Sequence, residues 1–137
     1  MDVDQARRRF ATGRVARLAS VHPRGTPHLV PVTFAVDGDA IFTAVDAKPK
    51  RTTRLQRLEN LRAHPQCALL VDHYDDDDWS QLWWVRADGS ARVIDAPAPS
   101  HPGLALLTDR YVPYARTSPT GPLIVVTVTR WTGWSAS

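Results

Sequence analysis

Apolar positions recur at every second residue over much of the chain, in short runs broken by glycine, proline and aspartate, which is the period of half-buried strands. His28 to Val36 shows it best. One parity reads His28, Val30, Val32, Phe34, Val36 and the other Leu29, Pro31, Thr33, Ala35, so the first set points to a core. Pro31 cannot donate to a ladder and therefore marks an edge, a bulge or a place where something other than a strand meets the backbone. Further strands are predicted from Arg14 to Val21, Ala40 to Val45, Cys67 to His73, Gln81 to Ala87, Ser90 to Asp95 and Leu123 to Arg130, the last followed by the tail Trp131-Thr132-Gly133-Trp134. Asp37-Gly38 and Asp88-Gly89 read as tight hairpins. Helical spacing appears only in short pieces. Asp2 and Asp4 cap a first helix through Ala11, and Leu55, Leu58 and Leu61 define a second from Arg51 to Ala63. A third runs from about Gly103 to Tyr111. Strands without alternating long helices argue for an antiparallel barrel of about six strands in an α+β, mainly β setting.

The 137 residues make a single domain, 1–137, with composition near globular averages. No apolar run approaches the roughly 20 residues of a membrane span, and Met1 to Arg9 lacks the apolar stretch of a signal peptide. Cys67 is the only cysteine, so no internal disulfide forms. These features lead to the expectation of a cytoplasmic protein without a membrane partner.

The net charge of +3 hides an uneven split. Residues 1–68 carry 12 Lys or Arg against 6 Asp or Glu, and residues 69–137 carry 5 against 8. The basic excess is densest from Lys48 to Arg62, which fits one anionic group better than a polyanion, so nucleic acid is not an expected partner. Lys48-Pro49-Lys50-Arg51-Thr52-Thr53 joins a strand end to a helix start, where free amides and the helix dipole favour an anion. Lysine charges, a guanidinium fork and threonine hydroxyls make that connector a candidate phosphate clamp, the alternative being a solvated basic helix.

Other chemistry is poorly supported. The dinucleotide, P-loop, zinc-protease and serine-hydrolase signatures are missing. His22, His28, His73, Asp72 and Asp75 lack metal-ligand spacing, and Asp75 to Asp78 lacks the pattern of a calcium loop, so no metal is expected. Cys67 reads as a small buried hydrophobe. The five tryptophans either fill a core or interface, or in part wall a planar ring.

The ordered set His28-Leu-Val-Pro-Val-Thr-Phe34, Phe42-Thr-Ala-Val-Asp46, Lys48-Pro-Lys-Arg-Thr52, Leu69-Leu-Val-Asp-His-Tyr74 with its four aspartates and Trp79, Leu82-Trp-Trp-Val-Arg-Ala-Asp-Gly89 and Arg130-Trp-Thr-Gly-Trp134 resembles the pyridoxamine 5′-phosphate oxidase-like split-barrel family, and most closely its F420-dependent (deazaflavin) oxidoreductase branch. The resemblance implies a six-stranded split barrel that forms a homodimer with cofactor sites at the subunit interface. It implies that Lys48, Lys50 and Arg51, with Arg54 or Arg57 as further candidates, grip the cofactor phosphate, and that Pro31, Val32, Thr43 and Ala44 lie along its ring and linker. The implied activity is hydride transfer between reduced F420 and a small organic substrate, with Tyr74, His73 or water as proton donor. FMN is the alternative cofactor, since a phosphate clamp does not distinguish the ring attached to it. A non-enzymatic flavin or F420 carrier is the alternative of another class. Pyridoxamine phosphate oxidation is disfavoured, because a second phosphate needs another cationic cluster and residues 69–137 offer scattered arginines.

Overall fold

The computed structural model describes residues 1–45 and 52–137. α1 (Val3–Thr12) starts at a capping box, in which the Asp2 carboxylate accepts from Gln5 N at 2.8 Å while Asp2 N donates to the Gln5 side chain at 3.0 Å. The strands follow as β1 (Ala16–Val21), β2 (Pro27–Val32), β3 (Ala35–Asp37), β4 (Ala40–Ala44), β5 (Gln66–His73), β6 (Trp83–Ile94) and β7 (Leu123–Ser135). α2 (Thr52–Ala63) precedes β5, while α3 (Pro102–Arg110) and α4 (Val112–Arg116) lie between β6 and β7. No described helix is long and apolar enough to cross a membrane.

The strands form one antiparallel sheet in the order β2-β1-β5-β6-β7-β4-β3. Its two edges, β2 and β3, are consecutive in sequence and separated only by Thr33 and Phe34. Val32 and Ala35 are three peptide steps apart, a reach of at most about 11 Å, so the sheet rolls until its edges approach. No ladder joins them. The fold is therefore a seven-stranded open sheet rolled about a seam, in place of the expected six-stranded barrel.

Two local misassignments account for the difference. The apolar run His28–Val36 holds its alternation across two strands, because the chain leaves one edge at Val32 and rejoins the sheet at the other from Ala35. Asp88-Gly89 is no hairpin. β6 runs straight through it, with a bulge where Asp88 opposes Arg130 but Gly89 opposes Val128. Glycine is required there by close approach, since a Cβ would stand 2.4 Å from the Thr127 carbonyl oxygen. Asp37-Gly38 is a true turn, with Gly38 at φ +60°. The tryptophan tail is not a tail but the end of β7, paired with β6 as far as Ser135.

One core cluster fills the rolled sheet with Leu18, Val32, Ile41, Leu69, Val85 and Val126, and is closed by Phe10 of α1 at one end and Leu58 and Leu61 of α2 at the other. A second packs the outer side of β4 and β7, through Phe42, Ala44, Leu123 and Val125, against Leu104 and Leu107 of α3. Between them runs the Thr33–Phe34 crossing. The Tyr111 hydroxyl accepts from Phe34 N at 3.1 Å and contacts the carbonyl oxygens of Phe34 at 3.0 Å and Arg14 at 2.8 Å. Arg110 donates to the Gly13 carbonyl and covers the Phe34 ring at 5.1 Å.

Asp39, at the β3–β4 turn, accepts from Trp131 Nε1 at 2.9 Å and from Arg7 at 2.7 Å, and these bonds hold its carboxyl below the ordinary aspartate range. Tyr111→Phe leaves the buried Phe34 amide without its partner, and urea unfolding is expected to show a loss of about 1–3 kcal/mol.

Candidate functional site

Antiparallel ladders alternate in which residues turn their N–H and C=O toward the neighbouring strand. The His22 N–H donates to the Thr26 carbonyl at 2.8 Å, which sets that alternation for β1 and β2. Pro27, Leu29 and Pro31 consequently turn their backbone groups away from β1. Both prolines sit where a missing N–H costs no ladder bond, so Pro31 marks an edge, one of the three meanings the sequence allows. On the other side of the seam, the Val45 N–H donates to the Pro122 carbonyl at 2.9 Å, so Thr43 pairs toward β7 while Ala44 turns its N–H and C=O outward. β3 covers β4 only as far as Phe42, opposite Ala35. The Ala44 backbone thus faces the seam beyond the end of β3.

A cleft of about 160 Å3 occupies this place, lined by Pro31, Val32 and Thr33, by Thr43, Ala44 and Val45, and by Arg57 of α2 and Tyr114 of α4. Thr43 is 1% exposed and, among the described residues, its Oγ1 has no hydrogen-bond partner. A buried hydroxyl left unmatched is costly unless a ligand or water completes it. The Tyr114 hydroxyl and Thr33 Oγ1 are 2.9 Å apart, and the Tyr114 ring stands edge-on to Tyr111 at 5.7 Å. α2 is anchored beside the cleft by a buried polar chain, in which Gln56 donates to Asn60 at 2.8 Å and Asn60 donates to Ser20 at 3.1 Å.

Five of the eight residues expected at the site, Pro31, Val32, Thr43, Ala44 and Arg57, therefore line one cleft. Lys48, Lys50 and Arg51 lie outside the described residues. Thr33, Val45 and Tyr114 were not anticipated. Thr33 and Val45 adjoin expected positions, whereas Tyr114 sits in a proline-punctuated stretch whose pattern gives no direction.

The tryptophans are elsewhere. Trp131 packs edge-on against Phe10 at 5.3 Å, and Trp83 stacks on His73 at 6.1 Å. Trp84 and Trp134 pair across β6 and β7. Trp134 lies ten residues beyond Ile124, the residue opposite Thr43, or about 33 Å of strand. None of the five lines the cleft. His22 accepts from the Arg24 amide at 3.0 Å inside its turn. The Asp75 and Asp78 carboxylates are occupied by nearby amides, and hydrogen bonds to Ser80 hold Asp78 below the ordinary range.

A family model described as pyridoxamine 5′-phosphate oxidase matches residues 3–135. The chain belongs to this family. Among solved structures, the conserved protein Rv2991 of Mycobacterium tuberculosis superposes with a TM-score of 0.77 at 22% identity, over 99% of this chain and 86% of its own. A FAD-binding protein from Mesorhizobium loti gives 0.69 at 18%, over 97% and 92%. A heme-binding protein from Mycobacterium smegmatis gives 0.70 at 18%, over 96% of this chain and 57% of its own. At these identities the likeness is one of fold. No curated protein sequence matches the chain.

Within the family fold, Cys67 is a packing residue. Burial, reinforced by the Asp88 charge, pushes its thiol up to about 11. Because its ionisation is displaced upward, the native thiol stays protonated at pH 9. It is expected to resist iodoacetamide there and to react fully in denaturing urea, as mass spectrometry of the alkylated protein will show.

Proposed function

We propose that this chain is an F420-dependent oxidoreductase that binds its cofactor along the seam and transfers a hydride between reduced F420 and a small organic substrate. The observation that carries this reading is the cleft itself. A buried unmatched Thr43 hydroxyl and the outward Ala44 backbone meet Arg57 at one place, and the basic connector Lys48-Pro49-Lys50-Arg51 begins four residues after Ala44 in the chain, past Val45-Asp46-Ala47. These residues suit a planar, acceptor-rich ring carrying a phosphate. Thr43 and Ala44 would hydrogen-bond the ring or its linker, while Pro31 and Val32 pack beside it. Lys48, Lys50 and Arg51, with Arg57, would hold the phosphate.

The deazaflavin, when bound, supplies a two-electron hydride donor and acceptor. The chain supplies position. Packing of Val32 and Val45 into the core fixes both walls of the cleft, and the Tyr111 hydroxyl bonds fix the crossing that sets their spacing. The small volume formed by the described residues is below the several hundred Å3 usual for sites that enclose a drug-sized ligand. That supports a homodimer in which a second copy helps to cover the cofactor. Leu29, at 67% exposure, Val21 and Leu70 lie on the outer face of β2, β1 and β5, next to Pro31, and would bury apolar area in such an assembly.

FMN or FAD is the second reading, favoured by the family description and by the FAD-binding neighbour of the same fold. Titration of the purified protein with F420 and with FMN, followed by ligand fluorescence, decides between them. Preference for F420 is the expected result, and preference for FMN transfers the protein to the flavin branch. Lys50→Ala is expected to weaken cofactor binding by about 1–3 kcal/mol, the range of a charge-assisted hydrogen bond, with an unchanged melting temperature. Unaltered affinity in that variant removes Lys50 from the clamp.

A further inference from the structure

A second cavity, of about 130 Å3, opens where β6 begins and β7 ends, lined by Arg9 of α1, by Ser80, Gln81 and Leu82 ahead of β6, and by the paired Trp83 and Ser135. Ser135 lies eleven residues beyond Ile124, the residue opposite Thr43, or about 36 Å of strand. No residue lines both this cavity and the seam cleft. A closed apolar cavity of about 150 Å3 takes a benzene molecule, so this open one has room for a body of one small ring.

Arg9 is the unspent group at this place. Phe10, fully buried against Phe34 and Trp131, fixes the last turn of α1, and the Arg9 guanidinium stands over the Trp83 ring at 5.9 Å. Trp83 is held in turn by the core and by His73, whose ring stacks on it at 6.1 Å. Arg7, Arg86 and Arg110 are half-buried like Arg9, and each has an acceptor, in Asp39, Asp88 and the Gly13 carbonyl. Among the described residues the Arg9 guanidinium donates to no acceptor and pairs with no carboxylate. Its position in the last turn accounts for a cation there. It leaves the five donors of that cation unmatched beside a cavity.

The other polar groups of the lining are committed. Ser80 Oγ donates to Asp78 at 2.6 Å, Gln81 also bonds Asp78, and Ser135 Oγ donates to the Ser137 backbone oxygen at 2.9 Å. A negative charge on a ligand is therefore met by Arg9, and an apolar body by Leu82 and Trp83. The Asp78 carboxylate, bonded to two residues of the lining, repels a dianion such as phosphate more than a monoanion. We propose that this cavity binds a small organic monocarboxylate, its carboxylate paired with the Arg9 guanidinium and its ring or short chain against Leu82 and Trp83. The site is separate from the seam cleft, and the inference does not rest on the cofactor reading above.

The test titrates the purified full chain, at neutral pH and constant ionic strength, with sodium benzoate, with neutral benzamide and with inorganic phosphate, following amide and indole N–H resonances. Benzoate is expected to shift the Trp83 indole and the Ser80, Gln81 and Leu82 amides, while the Trp131 indole, bonded to Asp39, stays in place. Benzamide and phosphate are each expected to bind about tenfold more weakly than benzoate, the scale of one charge-assisted hydrogen bond. Arg9→Gln is expected to weaken benzoate binding about tenfold, with benzamide affinity within about twofold of wild type and an unchanged melting temperature. A Trp83 indole that millimolar benzoate does not move overturns the site. Equal binding of benzoate and benzamide by wild type overturns the charge pairing without recourse to a variant, and phosphate binding as tight as benzoate overturns the carboxylate class. Equal benzoate affinity in wild type and Arg9→Gln overturns the role of Arg9, and the proposal with it.

Discussion

The structure hangs on a two-residue crossing. Thr33 and Phe34 carry the chain from one edge of a seven-stranded sheet to the other, and no strand is available to pair their backbone groups. Phe34 is fully buried, so an unmatched amide or carbonyl there would be costly. Tyr111 removes that cost with a single hydroxyl, and it reaches the crossing only because α3 packs Leu104 and Leu107 against the outer side of β4 and β7. Arg110 then ties the same point to Gly13, after α1. Helix, crossing and both sheet edges are one mechanical unit, and the width of the seam is set where they meet.

An open seam exposes unpaired strand edges, which elsewhere invite association with other chains. Here the exposure is controlled by chemistry that the sequence carries openly. Pro27 and Pro31 occupy the outward positions of β2, so that edge has few donors to offer a stray strand. On β4 the free stretch is short, because β3 covers it as far as Phe42. What remains is a small number of backbone groups and one buried hydroxyl at the bottom of a cleft. An edge made unsuitable for another strand borders the cleft proposed to take a flat ligand.

Strand identity was readable from period-two patterning because the inward faces of the sheet are mostly apolar, Ser20 and Thr43 excepted, and Asp37-Gly38 was readable because the turn demands a positive φ. Connectivity between strands was less so. Alternation continues through His28–Val36 because Phe34 must point inward at the crossing as firmly as Val32 does in the strand, and periodicity cannot register that the pairing partner changes. Asp88-Gly89 misled for a related reason. The same dipeptide suits a turn and a bulge, and only the nearness of the Thr127 carbonyl, set by β7, makes it a bulge. At the site, Pro31, Val32, Thr43 and Ala44 were within reach of the sequence because strand-end position and residue type pointed to them. Tyr114 was not, since its place depends on how α3 docks.

The fold leaves the choice of cofactor to its side chains. Proteins of this shape include one named for FAD binding and one named for heme binding, at identities near one fifth of the chain. Free backbone groups along a seam are generic, because an amide and a carbonyl meet many planar molecules equally well. Discrimination has to come from groups that differ between chains. In this chain the candidates are the cations ahead of α2, the Thr43 hydroxyl within the cleft and the Thr33–Tyr114 pair. On the proposed reading the cations would take an anionic phosphate and say little about the ring. The hydroxyls would then be where ring and substrate are told apart, and Tyr111, which bonds the crossing, stands edge-on to Tyr114 of that pair.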